Sequence, residues 1–192
     1  DIDRSRGLGD VYKRQEGNLL TSLDISGLTS LNEINCSNNQ LTTIDISSNS
    51  NLKFLSCEEN NLTGLDVSSC PIRKVAARDN QITYFYVSDS LFSPIYFDLP
   101  NNLLDTVNFS NISFCNQRMQ DIILNNNNLT NLDLRNIDFE YLHCDSNNLN
   151  NLDLRNNDNT NISAVSSLGN PNLTCISVDA VSYTHLTLPT IE

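Results

Sequence analysis

Basic residues are scarce in this sequence, and tryptophan is absent. The 192 residues contain 11 Lys and Arg against 23 Asp and Glu, which gives a net charge of −12 at pH 7. Because so acidic a surface repels phosphate backbones, we expect no nucleic-acid ligand. No apolar run approaches the ~20 residues that a membrane-spanning helix requires, so we also expect no membrane span.

Motifs for catalysis and metal binding are missing as well. The two histidines, His143 and His185, accompany no nucleophile elbow, phosphate loop or HExxH motif, so we expect no enzymatic activity. There is no C-x-x-C pair and no paired Cys/His spacing, which argues against a zinc site. We therefore expect neither a metal nor a cofactor.

The two ends of the chain are related to each other at the level of DNA. A back-translation of residues 10–15 has a reverse complement that encodes Val-Ser-Tyr-Thr-His, the sequence of residues 181–185. The pair resembles translated transposase-adapter ends used in preparing sequencing libraries. We therefore expect residues 1–15 and 181–192 to be non-native peptide on either side of one domain, residues 16–180, that is part of a longer protein.

One pattern recurs along that domain: L-x-x-L-x-C-x-x-N-x-L-x-x-L-D-V-S. Clear copies begin at Leu31, Leu52, Ile72, Met119 and Phe139. The period of about 21 residues is too short for helix-pair repeats. Apolar spacings of three and then two predict a short strand entered from a bend, and the Asn, Ser and Asp that close each half-repeat favour turns. The repeat therefore predicts a coil with two short extended segments per turn.

This pattern is similar to the leucine-rich repeat, most closely to the nested bacterial subtype called IRREKO and to secreted, internalin-like proteins. The resemblance covers nearly all of residues 18–180. It implies a right-handed solenoid of about seven coils, with a parallel β-sheet on one face, short extended or 3-10 segments on the other, and little α-helix. The pattern departs over residues 88–118, where Pro94 and Pro100 intrude, and we expect an irregular or bulged coil there.

An asparagine occupies the same position in successive copies. A buried amide carries two donors and an acceptor, enough to bridge the bend of its own coil to the next coil, and an unpaired one would be costly. We therefore expect this column to be structural. Its members are Asn39, Asn60, Asn80, Asn102, Asn127 and Asn147.

Cysteine and aspartate also recur in register. Cys36, Cys57 and Cys144 hold an inward position that Leu or Ala fills in other copies, so we expect buried, inert thiols, with a disulfide between the first two left open. The states of the remaining cysteines, Cys70, Cys115 and Cys175, are also open. The recurring aspartates are interpreted as turn residues bonded to backbone amides, with a shared calcium ion as the alternative. They are Asp24, Asp45, Asp66, Asp133 and Asp153.

The outward positions of the strand face vary, unlike the inward ones. Phe54, Lys74 and Tyr96 share one outward position on successive coils, and aromatic and charged residues are the types that anchor interfaces. We expect these three to contact a ligand. Further candidate ligand-binding residues are Arg73, Arg78, Tyr141 and His143.

We therefore expect a non-catalytic recognition module, extracellular or at the cell surface, that binds a protein or glycan through its strand face. The alternatives are a targeting domain of a larger secreted enzyme or effector, and an adhesin stalk. Surface variation without any partner is a further reading of the outward positions.

Overall fold

Each repeat supplies one short strand to a continuous parallel sheet. The computed structural model describes residues 12–87, 95–109, 112, 118–135, 137–156 and 159–179. Within these ranges helix is limited to a 3-10 turn at Asn159–Asn161. The strands are β1 (Tyr12–Arg14), β2 (Glu33–Asn35), β3 (Phe54–Ser56), β4 (Leu65–Asp66), β5 (Lys74–Ala76), β6 (Phe85–Tyr86), β7 (Ile95–Asp98), β8 (Met119–Ile123), β9 (Asn131–Asp133), β10 (Phe139–His143), β11 (Asn151–Asp153), β12 (Ala164–Ser166) and β13 (Ile176–Ser177).

The strands lie on two sides of the coil. Eight of them form one sheet in the order β1-β2-β3-β5-β7-β8-β10-β12, which we call the strand face. On the opposite side, the back face, lie the pair β4-β6 and the three-stranded sheet β13-β11-β9. Every pairing is parallel. The predicted leucine-rich-repeat solenoid with little helix is confirmed as a parallel β-solenoid of about seven turns.

The interior is filled by the side chains that the repeat spacing points inward. Leu55, Leu62 and Leu65 of one coil are at most 1% exposed, and they pack in a single cluster with their equivalents from the coils on either side. Aromatic rings fill part of this core, where Phe97 meets Phe85 edge-on at 5.1 Å between ring centroids. A lone coil has no such neighbours, so stacking of coils is what buries the apolar residues.

The L-x-x-L spacing places two successive residues on the outside of the strand face. Ile72 and Val75 are fully buried, whereas Arg73 between them is half-buried and Lys74 is exposed. The amides of Arg73 and Lys74 both donate to the carbonyl of Lys53, at 2.8 and 3.0 Å. This two-against-one arrangement is that of a β-bulge, which interrupts the strict alternation of side chains. Each regular coil thereby presents an extra outward residue at the start of its strand.

The coil that contains β7 lacks this extra residue. Ile95 and Phe97 are both buried with Tyr96 alone between them, so β7 alternates like an ordinary strand. Its pairing with β8 shifts register between Ile95 and Tyr96. Pro94 and the rest of 88–94 lie outside the described residues, as do 110–111 and 113–117.

The asparagine column joins each coil to the one before it, and not to the next coil as the sequence led us to expect. The Asn60 amide Nδ2 donates to the carbonyls of Cys57 in its own coil and Cys36 in the preceding coil, at 3.2 and 3.1 Å. Its Oδ1 accepts the Leu41 amide of the preceding coil at 3.0 Å. The same pattern recurs through the column and extends to Asn170, which the repeat pattern did not include. All seven side chains are buried.

The residue before each of the six predicted column asparagines adopts a left-handed backbone conformation, with φ between 52° and 57°, and Gly169 before Asn170 does so at φ 69°. This conformation suits Asn and Asp better than other non-glycine residues. One coil places a glutamate, Glu59, in it at φ 52°. The other members are Asn38, Asp79, Asn101, Asn126 and Ser146.

We predict that Asn80→Ala lowers the free energy of unfolding by about 1–3 kcal/mol, since it leaves the buried Leu62 amide without its acceptor. That amide donates to Asn80 Oδ1 at 2.9 Å. Urea unfolding followed by circular dichroism measures the change. The exposed Asn61 of the neighbouring coil is the matched control, because Asn61→Ala should change stability by less than about 0.5 kcal/mol. Equal effects of the two substitutions would contradict the structural role of the column.

We predict that Glu59→Asn raises the free energy of unfolding by about 0.5–1 kcal/mol, since asparagine tolerates the left-handed region that penalises glutamate. The reciprocal exchange Asn38→Glu, at the equivalent position one coil earlier, should lower it by a similar amount. Thermal unfolding of both variants gives the comparison, and a loss of stability in Glu59→Asn would count against the backbone argument.

Candidate ligand-binding face

Two columns of outward side chains run across the strand face, at right angles to the strands. The register pairs Phe54 with Lys74 and Lys74 with Tyr96, so these three predicted residues are neighbours in the first column. Adjacent strands lie about 4.8 Å apart. The first column reads Tyr12, Glu33, Phe54, Lys74, Tyr96, Asp121, Tyr141 and Ala164, and the second reads Arg14, Asn35, Ser56, Ala76, Asp98, Ile123, His143 and Ser166.

The other predicted residues divide between the centre and the margin of this face. Tyr141 belongs to the first column and His143 to the second, both half-buried and two coils beyond Tyr96. Arg73 lies beside Lys74 at the bulge. Arg78 follows the strand at the bend, where its Nε is 3.1 Å from Glu58 Oε1. The structure therefore brings the triple together and separates Arg78 from it.

Three cations on this face have no carboxylate partner within the described part of the chain. Residues 16–179 contain seven Lys and Arg, and four of these, Arg78, Arg118, Arg135 and Arg155, lie within 4 Å of an acidic oxygen. Among the described residues, Lys53, Arg73 and Lys74 form no such pair, and the buried Arg73 Nε has no hydrogen-bond acceptor. The three belong to two adjacent coils. In a chain with twice as many acids as bases, this cluster is a local basic patch.

Acidic residues of the same face were not singled out from the sequence. Asp121 lies next to Tyr96 on the adjacent strand, in the first column, and Asp98 lies two residues along from Tyr96 on β7, in the second column. Burial raises the pKa of Asp98, while Arg78 and Lys74 nearby act in the opposite direction. Side chains alternate along a strand, and Asp98 lies two residues after the outward Tyr96. This spacing was the sequence signal that could have placed Asp98 on the same face.

The recurring aspartates are engaged locally. Oδ1 of Asp45 accepts the Ser47 amide at 2.9 Å, and Asp66 does the same with Ser68. Hydrogen bonds to Ser47 lower the pKa of Asp45. Further along, Asp133 accepts both the backbone and the guanidinium of Arg135. These bonds are those of turn aspartates.

The recurring cysteines lie in the core. Cys36, Cys57 and Cys144 are buried and unpaired, and so is Cys70. Burial raises the pKa of Cys36 and of Cys144 to about 12. Since the thiolate is the reactive form, such thiols are poor nucleophiles at neutral pH. Cys115 lies outside the described residues.

The described ranges offer no group of three or more His, Cys, Asp and Glu side chains arranged to hold a metal ion. In the same ranges, no helix has the length and apolar character needed to cross a bilayer.

Comparisons with known proteins find a likeness among solved structures. No protein-family model matches the chain, and no curated protein matches it. Among solved structures, it is similar to the functional domain of InlJ from Listeria monocytogenes, which is described as including a cysteine ladder. The identity is 19%, and the TM-score is 0.37. The match covers 81% of this chain and 48% of the other, so the chain spans about half of that structure's length.

We predict that a thiol reagent at pH 8 labels Cys175, which is exposed, and spares the four buried cysteines. A Cys115→Ser background and mass spectrometry of tryptic peptides isolate this comparison. Labelling of Cys36 in the folded protein at the rate of Cys175 would contradict the buried assignment.

The same burial predicts that the folded protein loses stability in alkali, because the unfolded thiols have a pKa near 9.0 and the folded thiols of Cys36 and Cys144 have a pKa of about 12. The folded state then holds more protons than the unfolded state, so the free energy of unfolding decreases as the pH rises through that window.

Proposed function

We propose that this chain is a non-catalytic recognition domain that binds a protein or glycan ligand through the strand face. The supporting observation is the row formed by Phe54, Lys74 and Tyr96 on three adjacent strands. Rigid strands hold these side chains in a fixed spacing, and large aromatic and cationic groups are the usual anchors of interfaces. None of the three is buried in the core.

The unpaired cations favour a ligand with negative charge at this point. Lys53, Arg73 and Lys74 lie beside Phe54 without carboxylate partners among the described residues, although the chain is acidic elsewhere. A ligand carboxylate would complete their pairing and would be guided to this part of the face by charge complementarity. An acidic segment of a protein fits this arrangement, with the neighbouring aromatic rings providing apolar contact.

The same face is compatible with two larger contexts. The domain is either a self-sufficient surface receptor or the targeting part of a larger secreted enzyme or effector, and in both cases the strand face binds. As an adhesin stalk, by contrast, the chain would act as a spacer and the face would have no ligand. We place the domain outside the cell or at the cell surface, and we propose that residues 1–15 and 181–192 are adapter-derived.

We predict that Phe54→Ala, Lys74→Ala and Tyr96→Ala each weaken binding to an isolated bacterial cell-surface fraction by about tenfold, since loss of an anchor costs about 1–2 kcal/mol. Biolayer interferometry with the immobilised domain measures the change. Added salt should weaken binding of the wild type more than that of Lys74→Ala. Asn128→Ala and Asn148→Ala, at exposed positions away from the face, are the controls.

Unchanged binding in all three strand-face variants, with folding verified by circular dichroism, would reject this face as the binding site. Absence of any binding by the wild type would favour the stalk.

A further inference from the structure

Two tyrosines project from the back face on one coil. Tyr84 and Tyr86 are 45% and 53% exposed, while Phe85 between them is 1% exposed. Because side chains alternate along a strand, both tyrosines lie on the outer side. Their ring centroids are 5.2 Å apart, and the ring planes are tilted by 32°. The two rings therefore form one continuous aromatic surface open to solvent.

Because Gly64 of the preceding coil has no side chain, the Tyr84 ring can lie flat against its backbone. Leu65 pairs with Phe85 across β4 and β6, which places Gly64 beside Tyr84. A Cβ atom added at Gly64 would overlap the Cζ and Cε1 atoms of the Tyr84 ring. The ring thus covers the main chain of the glycine instead of projecting as an isolated anchor, and its position is fixed by the register of two coils.

This aromatic surface replaces the polar groups found at the same place in other coils. Tyr86 pairs with Asp66 and occupies the position of the turn aspartates, whose carboxylates accept a backbone amide two residues on. A tyrosine side chain cannot make that bond in the same way, and an exposed ring adds little to the core. The rim remains polar, since Thr63, Asp66 and Thr83 are all exposed.

We infer that Tyr84 and Tyr86 form a stacking platform for the sugar rings of a neutral glycan, at a site separate from the strand face. A pyranose ring has an apolar C–H face that packs on an aromatic plane, and hydroxyls at its edge that need polar partners. The tilted pair of rings provides the aromatic plane, at a spacing comparable to the length of one sugar residue. The two phenol hydroxyls and the rim provide polar partners for the sugar hydroxyls, because neither phenol hydroxyl is bonded within the described part of the chain.

Other flat or apolar occupants fit less well. Nucleic-acid bases also stack on tyrosine, but their phosphates would meet Asp66 on a chain of net charge −12, and the same repulsion opposes anionic glycans. Protein interfaces centre on side chains that insert into pockets, whereas Tyr84 is laid against the backbone at Gly64.

Native affinity electrophoresis provides the test, with hydroxyethyl cellulose, galactomannan or the anionic polygalacturonate cast into the gel. The wild type should be retarded by at least one of the two neutral β-1,4-linked polymers and not by polygalacturonate. Tyr84→Ala combined with Tyr86→Ala should abolish the retardation. Gly64→Ala should weaken it severalfold although both tyrosines remain, because the added methyl lifts the Tyr84 ring. Tyr96→Ala, on the strand face, should bind like the wild type.

Circular dichroism spectra and melting temperatures close to those of the wild type establish that each variant is folded. Tyr86→Phe is the conservative variant, and it should keep most of the retardation because the stacking surface is retained. The proposal is overturned if neither neutral polymer retards the wild type, if the double variant is retarded as strongly as the wild type, or if polygalacturonate is the polymer that binds. Loss of retardation in Tyr96→Ala alone would show that the glycan binds the strand face, and this result would also overturn the proposal.

Discussion

A buried asparagine carboxamide joins each coil to its predecessor, and the rest of the solenoid depends on that link. Each carboxamide donates to carbonyls of two coils and accepts one amide of the preceding coil, as Asn127 does with Leu124, Leu99 and Leu104. Its partners are main-chain groups, so the bond fixes the height and rotation of one coil relative to the next. The leucines can then stack in register, and apolar burial follows from that alignment.

Because the interior residues and the carboxamides fix the coil, the outward positions are left free to vary. The strand face carries a row of aromatic and charged groups around Lys74. Among the described residues, Lys53, Arg73 and Lys74 on this face form no ion pair within 4 Å. On the back face, the exposed pair Tyr84 and Tyr86 stands on one coil, and the Tyr84 ring lies against Gly64 of the preceding coil. Both surfaces stand on hydrogen-bonded parallel strands, so a ligand would bind them with little loss of backbone entropy in the protein.

The fold could be predicted because the leucine spacing indicates which side chains share the interior of the solenoid. The column of Phe54, Lys74 and Tyr96 could be predicted too, since equivalent positions of a repeat become neighbours. Other features depend on the three-dimensional register. Nothing in the repeat pattern indicated that the carboxamides bond backwards along the chain, or that the Tyr84 ring covers Gly64. The missing outward residue before Tyr96 was hidden by the irregular spacing of that copy.

Hydrogen exchange of the amides that donate to the carboxamides is the most direct measurement of this account. Away from the first and last members, Leu20 and Leu149, those amides belong to Leu41, Leu62, Ile82, Leu104 and Leu129. If the carboxamide links hold the coils together, these amides should exchange only through unfolding of the whole stack. Their free energies of opening should then be similar, and their exchange rates should be the slowest in the protein. Exchange as fast as that of exposed turn amides, or opening of single coils independently of their neighbours, would contradict the account.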